Sequence, residues 1–94
     1  MLHITKVEYA GEYTINVVFN DGRTGKADLS AILDKGVFQS LKNVTLFSQV
    51  HVDDELETIV WPNGLDLAPE FVYFCAFKND ELLQPQFKAW GYAA

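Results

Sequence analysis

The chain has 94 residues, room for one hydrophobic core, since folding at this size buries roughly 60 to 65% of the unfolded surface. With 49% hydrophobic and 14% aromatic residues it has the makeup of a packed globular domain and not of a disordered segment. Seven Lys and Arg against thirteen Asp and Glu leave a net charge of −6 with no basic run, which argues against direct contact with nucleic acid.

Tyr13, Ile15, Val17 and Phe19 fall at alternate positions and share one face of a strand. Asn20-Asp21-Gly22 ends it in a tight hairpin, so Arg23 to Ala27 return antiparallel, and Gly11-Glu12 turns an earlier strand around Ile4 to Tyr9 into it. The first 27 residues therefore read as a three-stranded meander. Asp28 or Ser30 can cap a short helix over Ala31, Ile32 and Leu33, with Gly36 placed to end it. Phe38, Leu41, Leu46 and Phe47 then suggest one or two helical turns lying over the sheet.

A second hairpin follows, with Val50 to Val52 as one arm, Asp53-Asp54-Glu55 as an acidic turn and Thr58 to Trp61 as the other arm. Pro62-Asn63-Gly64 supplies a turn leading into Leu65, Asp66 and Leu67. Pro69 suits the first turn of a helix and Glu70 complements its positive end, and from Phe71 to Phe77 that helix is apolar nearly all round. The expectation is an α+β domain over residues 1–78: a small antiparallel meander, a second hairpin, short helical turns and one apolar C-terminal helix. Residues 79–94 read as an aromatic-containing tail, interrupted by Pro85 and Gly91 and either packed back or held in an interface.

No catalytic apparatus is recognisable. His51 and Asp53 would share a strand face, yet two or three ligands fall short of a closed metal site, and no motif calls for a cofactor. The lone Cys75, mid-helix among apolar neighbours, reads as a core thiol and excludes an intramolecular disulfide. Ser30, Ser40 and Ser48 lie in no nucleophile elbow, and Asp21 to Gly25 lacks the ending of a phosphate-binding loop.

The most distinctive run is Trp61-Pro62-Asn63-Gly64-Leu65-Asp66-Leu67. A rigid turn there could present Trp61, Asn63 and Asp66 to a ligand or partner. The competing account puts Trp61 in the core, gives Asn63 and Gly64 to the turn, and has Asp66 bond backbone N–H groups ahead of the helix. In the tail, Phe87, Trp90 and Tyr92 are aromatic anchors of the kind enriched in interface cores. The expected partner is therefore another protein or a second copy of the chain. Met1 to Lys6 has no leader-like pattern and no uncharged apolar run approaches about 18 residues, so a cytoplasmic setting away from membranes is expected.

The run Val17-Val18-Phe19-Asn20-Asp21-Gly22, then Asp28-Leu29-Ser30, Phe38-Gln39-Ser40-Leu41, Phe47, Val50 to Asp53 and Thr58 to Glu70 resembles a family of small bacterial proteins, domain of unknown function 2442. The resemblance spans roughly residues 5 to 77, as much chain as a typical small domain holds, and is most specific at Trp61 to Glu70. It implies a compact α+β fold with antiparallel strands and no established activity. It also implies partnership in small operons, where a toxin–antitoxin role has been suggested, and in some members an added helix-turn-helix domain. That addition is not expected here, where one helix and a tail follow Pro69, and the resemblance transfers no site residue. An antitoxin-like or regulatory interaction module is thus the leading expectation. The alternative is a small-molecule binder or modest enzyme with a pocket beside the Trp61 to Gly64 turn.

Overall fold

Alternation in the first 28 residues builds the sheet on which everything else packs. In the computed structural model, which describes residues 1–93, β1 (Ile4–Tyr9), β2 (Thr14–Phe19) and β3 (Thr24–Asp28) pair antiparallel in the order β1-β2-β3. Val7 stands opposite Val17 and Val17 opposite Gly25, which puts Ile15, Val17, Phe19 and Ala27 on one buried face. Lys6, Glu8, Asn16, Val18, Thr24 and Lys26 occupy the other. A bulge between Ile4 and Lys6 breaks the register, and the Thr5 hydroxyl donates to Val18 O across it at 3.1 Å. Gly11, Glu12 and Gly22 take positive φ in the two turns, and Asp21 Oδ1 accepts the Arg23 N–H at 2.9 Å.

The middle of the chain is tighter than the expected helices. Ser30–Ile32 and Gly36–Lys42 form 3₁₀ turns, and only Val44–Phe47 (α1) closes a single α-turn. Three residues are too few to nucleate an α-helix, so Asp28 Oδ1 caps a bend by accepting the Ser30 N–H at 2.9 Å. Gly36, at φ +50°, opens the second 3₁₀ segment and does not terminate a helix. Asn43 caps α1 by accepting the Leu46 N–H.

The second hairpin, β4 (His51–Asp53) and β5 (Thr58–Val60), pairs His51 with Val60 and Asp53 with Thr58. Its tip is tied by Asp53 Oδ1, which accepts the N–H groups of Glu55 and Leu56 at 2.8 and 3.0 Å. Ile4 N–H donates to Glu57 O at 3.0 Å, which stitches the tip to the start of β1.

α2 (Pro69–Phe77) crosses the inner face of the meander, with Pro69 in its first turn. Val72 and Tyr73 are buried, and Tyr73 meets Phe19 edge-on at 4.8 Å. Residues expected as an irregular tail form a 3₁₀ turn (Glu81–Leu83) and α3 (Gln84–Trp90). Pro85 and Gly91, read as interruptions, are the start and stop of that helix: Pro85 lies in its first turn, and Gly91, at φ +85°, is the left-handed C-terminal residue.

α2 approaches the sheet closely at Gly25. A Cβ there would lie 2.8 Å from Phe77 Cε1 and 3.2 Å from Ala76 Cβ. Phe77 is itself wedged between Phe19 and Tyr73. Gly25→Val should therefore cost about 1–3 kcal/mol of stability by overpacking, read as a lower urea midpoint with an unchanged denaturant slope.

Candidate interaction surface

The Trp61 to Asp66 run is divided between core and surface. Trp61 is 2% exposed, and its Nε1 donates to Phe47 O at 3.0 Å. Gly64 takes φ +91° and its N–H closes the turn onto Trp61 O at 3.0 Å, while Trp61 N–H donates to Leu65 O at 2.9 Å. Asn63 Oδ1 accepts the Leu65 N–H at 3.2 Å, and its Nδ2 donates to Ser40 Oγ at 3.1 Å, strapping the turn to the Gly36–Lys42 segment. Asp66 is exposed and forms a backbone bridge with Val60. Among the described residues the Asp66 side chain makes no hydrogen bond to the backbone N–H groups ahead of the helix, and α2 has no side-chain cap, the Phe71 N–H donating to Ala68 O at 3.0 Å.

His51 and Asp53 follow the same logic. The His51 ring nitrogen Nδ1 lies 3.1 Å from Gln49 O, and the N–H groups of Leu56 and Glu55 hold the Asp53 carboxyl below the usual carboxylate range. Among the tail aromatics Phe87 is fully buried, touching Phe74 at 5.1 Å. Trp90 and Tyr92 are half-buried, the former against Tyr73 at 6.0 Å and the latter stacked on Phe74 at 5.4 Å.

Two concave regions lie elsewhere. A depression of about 230 Å³ separates the Asp21 turn from α3, and across it the Tyr73 hydroxyl donates to Asp21 Oδ2 at 2.8 Å. Burial, and then that carboxylate, push the Tyr73 phenol up to about 12. The larger one, about 700 Å³, is an open groove over the outer face of the meander. Lys6, Glu8, Asn16, Val18 and Thr24 line it from the sheet, and the strip Val50 to Val52 lines it from the second hairpin. Neither takes in Trp61, Asn63 or Asp66. The groove went unnoticed in the sequence because the solvent side of an alternating strand carries no apolar signal. Its single trace there is Val18, an apolar residue at a position the alternation assigns to water.

Among known proteins, residues 4–77 match the model of a family described as Protein of unknown function (DUF2442). No curated protein matches the chain. Among solved structures, the whole chain superposes, at TM-score 0.75 and 16% identity, on 63% of the protein named "Putative DNA Binding Protein NE0471" from Nitrosomonas europaea. The chain thus spans less than two thirds of that protein's length. This likeness overturns the expectation of no direct nucleic-acid contact: a protein so named shares the fold, and a net charge averages over faces that a partner meets one at a time.

Trp61→Ala should cost about 3–5 kcal/mol, as expected for a large core aromatic, whereas Asn63→Ala should cost about 1 kcal/mol for exposed turn bonds; chemical denaturation of both variants checks the order. Cys75 and Tyr73 also make alkaline stability predictable. Burial raises the Cys75 thiol from 9 to about 11, and Tyr73 rises from 10 to about 12. Each raised value means that the folded state holds its proton more tightly than the free chain. The stabilisation is complete below the free-chain value and is lost as pH climbs through the folded one. Unfolding free energy should therefore decline between pH 9 and 12; Cys75→Ala should flatten the lower part of that decline and Tyr73→Phe the upper.

Proposed function

The chain belongs to the DUF2442 family, and from that premise we propose that it is a protein-interaction module whose partner seats on the outer face of the β1–β2–β3 meander. One observation carries this reading: the groove of about 700 Å³ over that face. Its lining mixes Val18, Val50 and Val52 with Lys6, Glu8, Asn16, Thr24 and His51. An apolar floor with a polar, mixed-charge rim is the anatomy of a protein contact surface. An antitoxin-like or regulatory pairing in a small bacterial operon, within the cytoplasm, fits this chemistry. The natural partner to test is the product of an adjacent gene, co-expressed with the chain and titrated by calorimetry. Val18→Glu should weaken binding by about tenfold or more through a desolvated charge in the floor, while Gln86→Ala, on the far side of the molecule, should leave it unchanged. Equal affinity for wild type and Val18→Glu would remove the outer face as the docking site.

A second reading has its own support in the name of the solved protein that shares the fold. Lys6, Asn16, Thr24 and Lys26 lie on one sheet face, and antiparallel strands can enter a DNA groove with side chains of these types. On this reading the chain binds duplex DNA with a salt dependence that Lys6→Glu and Lys26→Glu together reduce by about two counterions. Fluorescence anisotropy with a labelled duplex at low and moderate salt separates the two readings.

A further inference from the structure

The third strand ends the meander, and no strand among the described residues pairs with its outward edge. Phe19 N–H donates to Arg23 O and Leu29 N–H donates to Tyr13 O, at 2.9 Å each. The antiparallel register between them turns the backbone groups of Gly25 and Ala27 toward β2 and those of Thr24, Lys26 and Asp28 away from it. Thr24, Lys26 and Asp28 are all exposed. α2 packs against β3 at Gly25, where Phe77 and Ala76 fill the space a side chain would need. Lys78, just beyond the end of the helix, is close enough to Asp28 to favour its charged form, and the Asp28 charge in turn disfavours ionisation of Cys75. Phe71, Phe74 and Cys75 of that helix are half-buried against the core, so the sheet edge and not the helix is what is left open. Tyr92 packs on both of these phenylalanines.

We propose that this edge forms a homodimer interface, in which two copies of β3 pair antiparallel about a two-fold axis at Ala27 and extend the sheet to six strands. The charge pattern selects a second copy as the occupant. With Ala27 opposite its own counterpart, Lys26 of each copy faces Asp28 of the other on the exposed side of the sheet, so one register forms two cross-strand ion pairs. Lys26 and Asp28 are also residues whose backbone groups point outward, so the same register aligns donors with acceptors. A shift that placed Lys26 opposite Lys26 would set like charges together. An isolated edge lysine ordinarily discourages strand addition; an offset of two residues turns it into a specificity device. Asp28 accepts the Ser30 N–H on Oδ1 and feels the charge of Lys78, and the ammonium of the second copy would add to these contacts at an exposed carboxylate.

Sedimentation of the purified chain across a concentration series tests this without any other partner, so its outcome is independent of the reading of the outer face. Wild type should dimerise. Lys26→Asp alone and Asp28→Lys alone should each be monomeric, because each sets like charges opposite one another, and an equimolar mixture of the two should recover the dimer as a heterodimer. Lys26→Pro, which removes an outward N–H that makes no bond within the monomer, should also abolish association; circular dichroism confirms that each variant is folded. A wild type that stays monomeric throughout would overturn the proposal. So would single variants that associate as tightly as wild type, or folded single variants whose mixture fails to pair.

Discussion

Phe47 is the point at which three separate parts of the chain meet. Its fully buried ring takes Tyr9 and Tyr13 edge-on at centroid distances of 6.0 and 5.4 Å and Trp61 at 5.7 Å, while its carbonyl accepts the indole N–H of Trp61. Aromatic pairs at these separations contribute about 0.5–1.5 kcal/mol each beyond simple burial. Here they also fix geometry. The meander supplies the tyrosines, α1 supplies Phe47, and the end of the second hairpin supplies Trp61, so this junction and the Ile4 to Glu57 bond together tie the second hairpin to the meander.

This division of labour explains what could be read from residue order alone. The strands were legible because burial on one face forces a period of two, and both hairpins because Gly22 and the Asp53 turn leave characteristic punctuation. α2 announced itself through Pro69 and a nearly continuous apolar run. α3 was obscured by a real ambiguity, since Pro and Gly mark both helix ends and helix breaks, and only the burial of Phe87 between them distinguishes the two. The Trp61 to Asp66 run drew attention by its composition, yet its tryptophan fills the core and its asparagine is committed to Leu65 and Ser40.

The charged residues show a similar limit. The acidic balance of the chain is a sum, whereas a partner meets one face. Arg23 is bound to Asp80 at 3.2 Å and lies 5.8 Å from the Phe77 ring centroid, and Lys42 is bound to Asp34 at 2.9 Å, so these cations are engaged within the fold. Lys6 and Lys26 stand instead on the exposed side of the meander beside Asn16 and Thr24. Exposed pairs of this kind contribute little to stability, but they decide which cations are available to an incoming molecule.

The burial of Phe87 bears on where this fold stops. The stretch shared with the family closes at residue 77, but the interior does not: Phe87 is wholly enclosed and abuts Tyr73 and Phe74, ten and more positions further back. A boundary drawn at the end of the common stretch would cut through the middle of the protein and leave the two rings of α2 uncovered. Any relative with a different sequence after that point must shelter them by some other means, whether with a lid of its own or with a neighbouring molecule, so the ending of the fold is a place where members can diverge without altering the sheet.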